Sequence, residues 1–164
     1  VDYRLRTLEQ AEIYHFPLDS AAQKNLDQYF QQLSCDPRNY SQPIDIENRQ
    51  ISTIAEADSV LMIDFAELCG GPRSQVDYME ISRIYHTVLL ANVKQMGPLT
   101  SDVARRFIAM VDEFYERNVT LIISAEVDMS ALYSSGLLEF EFRRCLSRLQ
   151  EMQSHEYLGR EHLP

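Results

Sequence analysis

The sequence lacks several features that would place a chain in a specialised class. It contains no tryptophan and three cysteines, and no apolar run approaches the roughly 20 residues that span a bilayer. Cys35, Cys69 and Cys145 are far apart and have no neighbouring metal-ligand pattern. The sequence therefore predicts neither a disulfide framework nor a zinc site, and it favours a cytoplasmic protein without direct membrane insertion.

Positive charge is also scarce. Lys and Arg together number 15 against 25 Asp and Glu, which gives a net charge of −10 at pH 7. Binding to duplex nucleic acid or to anionic lipid requires clustered Lys and Arg. The composition therefore predicts no nucleic-acid partner. With 164 residues, the chain is long enough to bury one sizeable core.

A change of hydrophobic period between residues 101 and 127 is the main indication of the fold. The first part predicts an amphipathic helix, because apolar residues recur at three- and four-residue intervals: Val103, Phe107, Met110, Val111 and Phe114. Residues 119–123 form a short apolar, β-branched run, which is typical of a strand buried on both faces. A second apolar run at Thr87–Val93 precedes the helix. The pattern predicts a right-handed βαβ unit with parallel strands.

The flanking segments predict further elements around this unit. A short aromatic patch at residues 13–16 predicts an edge strand, and a helix is expected from Asp19 or Ser20 to Leu33. Residues 35–43 contain two prolines and predict a loop at a subdomain boundary. Residues 44–65 alternate in hydrophobicity and predict a three-stranded antiparallel meander whose last strand joins or borders the parallel sheet.

Two more helices are predicted in the second half of the chain. Ser74 and Asp77 have the spacing of a capping box, which predicts a helix to about Tyr85. Residues 129–133 predict one helical turn that Gly136 ends. The last helix is expected over residues 138–157.

Candidate catalytic or metal-binding groups form no recognisable constellation. The histidines are scattered and structural or solvated roles are expected for them: His15, His86, His155 and His162. Asp64 and Glu67 can hold a metal in principle, but without a phosphate loop capping and turn roles are favoured. Asp112 and Glu113 are typical of a solvated helix face. We therefore predict no catalytic residue and no metal ligand.

Adjacent arginines are the remaining candidates for a functional site. Arg105–Arg106 and Arg143–Arg144 are adjacent pairs, and Arg148 follows one turn later. Arginine binds carboxylate or phosphate in bidentate geometry, so these residues are candidates for an anion or trans-subunit contact. Ordinary surface charge is the alternative. For the first pair, an internal ion pair is a further alternative, with these possible partners: Asp102, Asp112 and Glu113.

Four long blocks of the sequence resemble a known family. They are VDYRLRTL, LCGGPRSQVDYMEISRIYHTVLL, ARRFIAMVDEFYERNVTLIISAE and FEFRRCLSRLQEMQSHEYLGREHLP. These blocks are similar to the C-terminal half of the ATPase-family-gene-one-like group, which includes bacterial cell-division ATPases and mitochondrial proteins. The resemblance implies a P-loop ATPase of the extended AAA type. It also implies action in the cytoplasm, with recruitment to the division ring together with the tubulin-like protein FtsZ.

The sequence departs from this family in its catalytic motifs. It contains neither a G-x-x-x-x-G-K-[ST] phosphate loop nor an apolar strand ending in Asp-Glu. In the family these motifs lie in the N-terminal half, and this chain begins at VDYRLR without an initiator Met. The resemblance therefore implies a C-terminal segment that binds no cofactor itself, while ATP and Mg²⁺ belong to the ATPase half. The implied partners are that half, FtsZ or another division-ring protein, and a second copy of the protein.

Together, the residue patterns and the resemblance imply an α/β fold. We expect a layered, P-loop-like sheet with parallel core strands, an antiparallel β-meander, flanking helices and a long C-terminal helix. Residues 1–43 are expected to form a strand–helix segment that continues from the ATPase half. Residues 44–164 are expected to form the α/β domain.

The order of these elements also matches the family's ATPase core. There, a strand ending in Asp-Glu precedes a helix, a strand ending in Ser-Asn, and an L-Y-x-x-G-L element. Here Ala91-Asn92 stands where the acidic pair would be, Ser124-Ala125 ends the second strand, and residues 132–137 read LYSSGL. The alternatives are a degenerate duplicate of the core and a coincidence of generic α/β order.

Two functional hypotheses follow from the resemblance. The first is a non-catalytic part of the ATPase that modulates hydrolysis or docks division-ring partners. The second is a purely structural interaction module with no role in hydrolysis. An independent enzyme is disfavoured, because the sequence offers no nucleophile–base pair and no metal set.

Overall fold

The computed structural model describes residues 12–34 and 39–164. The first part of this range consists of short strands and one long helix. Their bounds are β1 Tyr14–His15, α1 Ser20–Leu33, β2 Asn39–Tyr40, β3 Ile44–Ile46, β4 Arg49–Ile51, β5 Ala55–Ala57 and β6 Val60–Asp64.

Helices alternate with two longer strands in the second part. Their bounds are α2 Phe65–Cys69, α3 Gln75–Ile84, β7 Thr87–Val93, α4 Ser101–Glu116, β8 Thr120–Ala125, α5 Glu139–Glu151 and α6 His155–Leu158. Single 3₁₀ turns at Pro98–Thr100 and Met129–Ala131 follow β7 and β8.

Six strands form the central sheet in the order β1-β8-β7-β6-β5-β2. The first four of these strands are mutually parallel, whereas β5 pairs antiparallel with both β6 and β2. Val88 pairs with Leu121 and Leu90 with Ile123 across β7 and β8. The predicted parallel pair is therefore confirmed, with α4 as its crossover helix.

Helices cover the sheet on both sides. Every residue of β8 and nearly every residue of β6 and β7 is buried, which requires a covered sheet on each face. Helix α1 contacts β6, β7 and β8, while α4 packs between α3 and α5. The connection from β1 to β6 crosses the sheet in the opposite direction to the connections from β6 to β7 and from β7 to β8. Right-handed crossovers therefore place α1 on one face and α4 on the other.

Local capping fixes the starts of two predicted helices. The carboxylate of Asp19 accepts a 3.0 Å hydrogen bond from the Ala22 amide at the start of α1. At α3, the Asp77 carboxylate accepts a 2.9 Å bond from the backbone N–H of Ser74, as part of the predicted capping box. Both helices begin where the sequence places them, because a cap satisfies amides that the helix leaves without partners.

Apolar packing joins α4 to its neighbours. The ring of Phe107 stacks on Phe142 of α5 at 5.8 Å and meets the edge of Phe65 in α2 at 6.1 Å. Phe142 stacks in turn on Tyr133 at 4.8 Å. Such aromatic pairs contribute about 0.5–1.5 kcal/mol each beyond the burial of area. This row of rings fixes the position of α5 against the central unit.

The predicted three-stranded meander forms as two separate hairpins. Strands β3 and β4 make their own two-stranded sheet, and β3 contacts α3, whereas β5 and β6 pair within the central sheet. Glu47 and Asn48 have φ values of 51° and 63°, which suit the tight turn between β3 and β4. The predicted meander is therefore not continuous, because the chain leaves one sheet after Ile51 and enters the other at Ala55.

The last predicted helix is also divided. Helix α5 ends at Glu151, and the hydroxyl of Ser154 caps α6 by accepting a 3.1 Å bond from the Tyr157 amide. The buried hydroxyl of Tyr157 then donates towards the carbonyls of Phe114 and Val119, at 3.2 and 2.7 Å. These contacts turn the chain towards the end of α4, so one continuous helix over residues 138–157 is wrong.

Some predictions fall outside the described residues. These are the predictions for residues 1–11 and 35–38, which include Cys35 and the whole VDYRLRTL block. Strands β1 and β2 lie in the same sheet as β5 to β8. The division between a strand–helix segment at residues 1–43 and an α/β domain at residues 44–164 stays a prediction. Within the described ranges, no helix is long and apolar enough to cross a membrane.

Candidate functional site at the carboxyl edge of the sheet

The carboxyl ends of β6, β7 and β8 meet at one edge of the sheet, where open α/β sheets bind their ligands. At the end of β6, the Asp64 carboxylate accepts a 2.9 Å bond from the Ala66 amide and a 2.7 Å bond from Nδ2 of Asn92. The backbone N–H of Asn92 donates to Oγ of Ser124 at 3.0 Å. The predicted capping role of Asp64 is confirmed, and its second oxygen holds Asn92 in place.

Asn92 occupies an irregular point of β7. The register between β7 and β8 shifts between Leu90 and Val93, and Asn92 has a φ of 65°, a conformation that asparagine tolerates better than most residues. The Asn92 side chain therefore places an amide donor where the resemblance predicts a carboxylate. Since a side-chain amide cannot accept a proton from water, this strand end cannot supply a general base at that position.

The connection from β1 to α1 closes a possible anion site. It contains no glycine, and its last residue, Asp19, places a carboxylate on the amide of Ala22. That amide holds the pKa of Asp19 below its usual value, and the neighbouring His15 contributes in the same direction. A phosphate-binding loop needs free amides at the helix start. Here the Asp19 carboxylate accepts the hydrogen bond of the Ala22 amide, and its negative charge would repel a phosphate.

His15 is held between two carboxylates. Its Nδ1 lies 2.7 Å from Oε2 of Glu12 and its Nε2 lies 3.2 Å from Oδ1 of Asp19. Because both ring nitrogens face acceptors, the doubly protonated imidazolium satisfies this geometry. Burial alone would lower the pKa of His15, but the bonds to Asp19 and Glu12 outweigh it and raise the pKa. The sequence analysis missed this cluster, although its spacing of three and four residues around His15 was visible.

Arg106 lies beside the end of α2. Its Nη1 donates to the carbonyl of Cys69 at 3.3 Å, where a positive charge suits the negative end of the helix. It also lines a polar hollow of about 370 Å³ at the start of α4. The other lining residues are Gly70, Pro98, Leu99, Thr100, Ser101, Asp102 and Val103.

Arg105 is exposed and is not among the residues that line this hollow. Within the described part of the chain, neither Arg105 nor Arg106 has a carboxylate within ion-pair distance. Of the acidic partners considered from the sequence, Asp112 pairs with Arg148, and Glu113 accepts from Gln75 at 2.8 Å. The internal ion pair is therefore not formed at this pair of arginines, and their contact with an external anion stays a prediction.

The three arginines of α5 have different surroundings. Nη1 of Arg148 donates to Oδ1 of Asp112 at 2.7 Å, and its guanidinium lies 4.9 Å from the centre of the Tyr115 ring. Arg143 lines a cavity of about 220 Å³ beside Tyr133. Arg144 is exposed. Arg148 therefore takes part in the packing of α5 on α4, whereas Arg143 and Arg144 are exposed to solvent.

The cysteines in the described ranges are not activated nucleophiles. Cys69 and Cys145 are free and buried, and burial raises the pKa of both thiols, to about 12 for Cys69. A reactive thiolate requires a lowered pKa and access to solvent. Across residues 12–34 and 39–164, no group of three His, Cys, Asp or Glu side chains is arranged to hold a metal ion.

Three exposed apolar side chains near the starts of α4 and α5 were also missed by the sequence analysis: Leu99, Leu137 and Phe140. Phe140 lies two positions before Phe142 in α5, and Phe142 is buried. Their exposure depends on how the loops after β7 and β8 pair. It is therefore not visible in the local sequence.

Comparison with known proteins identifies the family of this chain. Residues 1–161 match the AFG1-like ATPase family. The chain is 48% identical over 163 residues to the Escherichia coli K12 protein named Cell division protein ZapE, covering 99% of this chain and 44% of that protein. It is 24% identical over 192 residues to Lactation elevated protein 1 homolog B of Danio rerio, covering 96% and 38% of the two chains.

These matches identify the family and show how much of its members' length the chain covers. The chain spans less than half the length of the curated relatives it matches. No solved structure matches it significantly. Since the family match extends over nearly all of the 164 residues, the chain belongs to the AFG1-like ATPase family.

Proposed function

We propose that these residues form the non-catalytic part of an AFG1-like ATPase that acts in bacterial cell division. In this proposal the part modulates ATP hydrolysis by a separate P-loop half, which binds ATP and Mg²⁺. The protein acts in the cytoplasm and is recruited to the division site, where FtsZ or another division-ring protein is its partner. The family match and the name of the Escherichia coli relative support the cell-division assignment.

One observation carries the non-catalytic assignment. The strand–helix connection after β1 has no glycine and is filled by the Asp19 carboxylate, which bonds the Ala22 amide at 3.0 Å. The start of α1 therefore offers no free set of backbone amides to bind a phosphate group. At the neighbouring carboxyl edge, Asn92 provides a side-chain amide where hydrolysis would need a carboxylate.

The arginines at the start of α4 support a modulating role. Arg105 is exposed, and Arg106 contacts a carbonyl but no carboxylate among the described residues. Guanidinium groups of this kind stabilise phosphate or carboxylate on a neighbouring surface. We propose that they contact the ATPase half or its nucleotide in trans.

The test uses a full-length family member that contains the P-loop half. ATP hydrolysis is measured for the intact protein, for a version without this part, and for the double variant Arg105→Ala with Arg106→Ala. The proposal expects the double variant to change the hydrolysis rate while leaving the melting temperature nearly unchanged. An unchanged rate in both altered proteins would contradict modulation and would favour a purely structural interaction module.

A further inference from the structure

The exposed side of α5 carries a large apolar side chain between charged residues of both signs. Phe140 is 64% exposed, and Leu137, three residues before it, is 84% exposed. The residues of α5 that face the core are Phe142, Cys145 and Leu149. Since an α-helix turns by about 100° per residue, Phe140 lies nearly opposite this buried side. A single exposed apolar residue needs no explanation, so the meaning of Phe140 depends on its surroundings.

The charges beside Phe140 have a regular order. Glu139 and Glu141 are its two neighbours in sequence, and they lie in the first turn of α5, where the helix dipole stabilises negative charge. Arg143 follows Glu139 by four residues, and Arg144 follows Glu141 by three, so each arginine lies one turn beyond its glutamate on the same side of the helix. Each side of Phe140 therefore has a carboxylate towards the start of α5 and a guanidinium group towards its end.

These four charged groups are free to make contacts outside their own molecule. All four side chains are exposed, and within the described ranges none of them lies in an ion pair. Arg148, one turn beyond Arg144, is by contrast paired with Asp112 on α4 at 2.7 Å. The order of charges around Phe140 is therefore not used for the packing of α5 on α4.

Net charge restricts where two copies of this chain can meet. A charge of −10 opposes self-association, because two copies repel each other in most orientations. The two glutamates and two arginines around Phe140 cancel, so this surface adds nothing to that repulsion. An apolar centre with balanced charges at its rim matches a partner that also carries both signs, rather than a strongly acidic or strongly basic one.

A two-fold axis matches the order of these charges. In a two-fold contact, residue i of one copy meets residue j of the other, and j meets i. When two α5 helices lie antiparallel across such an axis, each side of one helix faces the same side of the other in reverse order. Glu139 then meets Arg143 of the second copy, and Glu141 meets Arg144 of the second copy. Each of these pairs forms twice, because both copies contribute both signs.

We propose that the α5 face is an interface with a second copy of this chain, in an antiparallel two-fold contact. The α5 face is defined by these residues: Leu137, Glu139, Phe140, Glu141, Arg143 and Arg144. Phe140 of each copy packs against the other copy's Phe140 and against the methylene groups of its Arg144. A central aromatic residue inside a polar rim is the arrangement that concentrates binding energy in protein interfaces. This inference does not depend on the proposed role in hydrolysis.

The test measures self-association of the 164-residue chain by sedimentation velocity. Protein concentrations reach about 1 mM, because contacts of small area are weak. One charge variant, Glu139→Arg with Glu141→Arg, leaves only arginines at the rim. The other, Arg143→Glu with Arg144→Glu, leaves only glutamates. Circular dichroism checks that each variant is folded.

The unaltered chain should form a dimer that weakens as the salt concentration rises. Each charge variant alone should associate at least about tenfold more weakly, because its rim then repels its own copy. An equimolar mixture of the two variants should associate at least as strongly as the unaltered chain, since every rim contact then joins opposite charges.

Phe140→Ser tests the apolar centre separately. It should weaken the dimer at least about tenfold and leave the fold intact, because the ring is exposed in the single copy. The matched control is Ile84→Ser with Arg83→Glu, which changes an exposed apolar side chain and an adjacent exposed arginine on α3 and should leave the dimer unchanged.

Three results would overturn the proposal. They are a monomer at every concentration, a dimer that Phe140→Ser leaves unchanged, and a mixture of the two charge variants that associates no better than either alone. The last result would mean that these glutamates and arginines interact only within their own helix. The assay contains no ATP, so its failure leaves the proposed role in hydrolysis untouched.

Discussion

Nη1 of Arg148 on α5 lies 2.7 Å from Oδ1 of Asp112 on α4, and the same guanidinium covers the ring of Tyr115. The two charged side chains are partly exposed, at 28% and 38%. Partly exposed ion pairs contribute about 0.2–1 kcal/mol, and a cation–π contact adds about 0.5–1 kcal/mol. The pair therefore fixes the orientation of α5 more than it stabilises the whole protein.

A double-mutant cycle with Asp112→Ala and Arg148→Ala measures this coupling in urea denaturation. We expect a coupling free energy of about 0.5–1 kcal/mol. Arg148→Lys should retain part of it, because a lysine keeps the charge but loses the planar group that covers Tyr115. A coupling of zero would mean that apolar packing alone holds α5 on α4.

The His15 cluster predicts a pH-dependent contribution to stability. Bonds to Asp19 and Glu12 raise the pKa of His15 in the folded protein above its ordinary value of about 6.5. A raised folded pKa gives a contribution that is fully present below the unfolded pKa and is lost as pH rises through the folded pKa. The free energy of unfolding should therefore fall as the pH rises from the unfolded pKa of about 6.5 through the higher folded pKa.

His15→Gln should remove most of this slope. Urea denaturation at several pH values measures this slope. His162→Gln serves as a control, since Nε2 of His162 lies 2.6 Å from the carbonyl of Ser82 and bonds no carboxylate among the described residues. The same slope in wild type and His15→Gln would show that the imidazole is not held as a cation.

Asp77 links the small hairpin to α3. It is fully buried, accepts from the Ser74 amide at 2.9 Å, and bonds the guanidinium of Arg49. Burial by itself raises the pKa of Asp77, but Arg49 and the Ser74 amide outweigh it and hold the pKa below its usual range. This stabilisation is present above the unfolded pKa and is lost as the pH falls through the folded pKa.

Asp77→Asn should lower the free energy of unfolding by about 2–4 kcal/mol at pH 7, because it leaves a buried site without its charge-assisted bonds. The difference from wild type should begin to shrink as the pH falls below the unfolded pKa of about 4, and it should keep shrinking as the pH falls through the lower folded pKa, where the wild-type carboxyl becomes protonated. Arg49→Met should have the smaller effect, since Arg49 is half exposed. A pH-independent loss would mean that Asp77 acts through packing alone.

Gly136 allows the loop after β8 to reach α5. It has a φ of 140°, and a methyl group there would lie 2.4 Å from the hydroxyl of Tyr133. That hydroxyl accepts a 3.0 Å bond from the Leu138 amide at the start of α5. Gly136→Ala should therefore destabilise the protein by about 1–3 kcal/mol and displace Tyr133 from the cavity wall.

Gly71→Ala is the matched control for this substitution. Nothing lies within 4 Å of a methyl group at Gly71, and we expect its stability to change by less than about 0.5 kcal/mol. Thermal denaturation compares the two variants. Equal melting temperatures would show that alanine is tolerated in the backbone conformation of Gly136 without loss of stability.

The features that the sequence predicts correctly are those with local causes. The β7–α4–β8 unit depends on a helical period that ends at Phe114 and on a strand that is apolar on both faces. The caps at Asp19 and Ser74 depend on residues within three positions of them. Such signals need no knowledge of the distant parts of the chain.

The features that it does not predict depend on distant contacts. The alternation at Ile44–Ile46 and Arg49–Ile51 fits either sheet, and contact with α3 decides which one forms. The break before α6 depends on carbonyls at Phe114 and Val119, about 40 residues away from Tyr157. Likewise, the arginines of α5 were foreseen as a group, but only the parallel packing of α4 and α5 separates the paired Arg148 from Arg143 and Arg144.

The most direct test of the central claim is the ATP hydrolysis rate of the purified 164-residue chain with Mg²⁺. The account predicts no turnover above the protein-free blank, because the chain has no phosphate loop and Asp19 fills the helix start after β1. Asp64→Asn serves as the control for contaminating ATPases. Turnover that follows the chain through gel filtration and falls in Asp64→Asn would contradict the non-catalytic assignment.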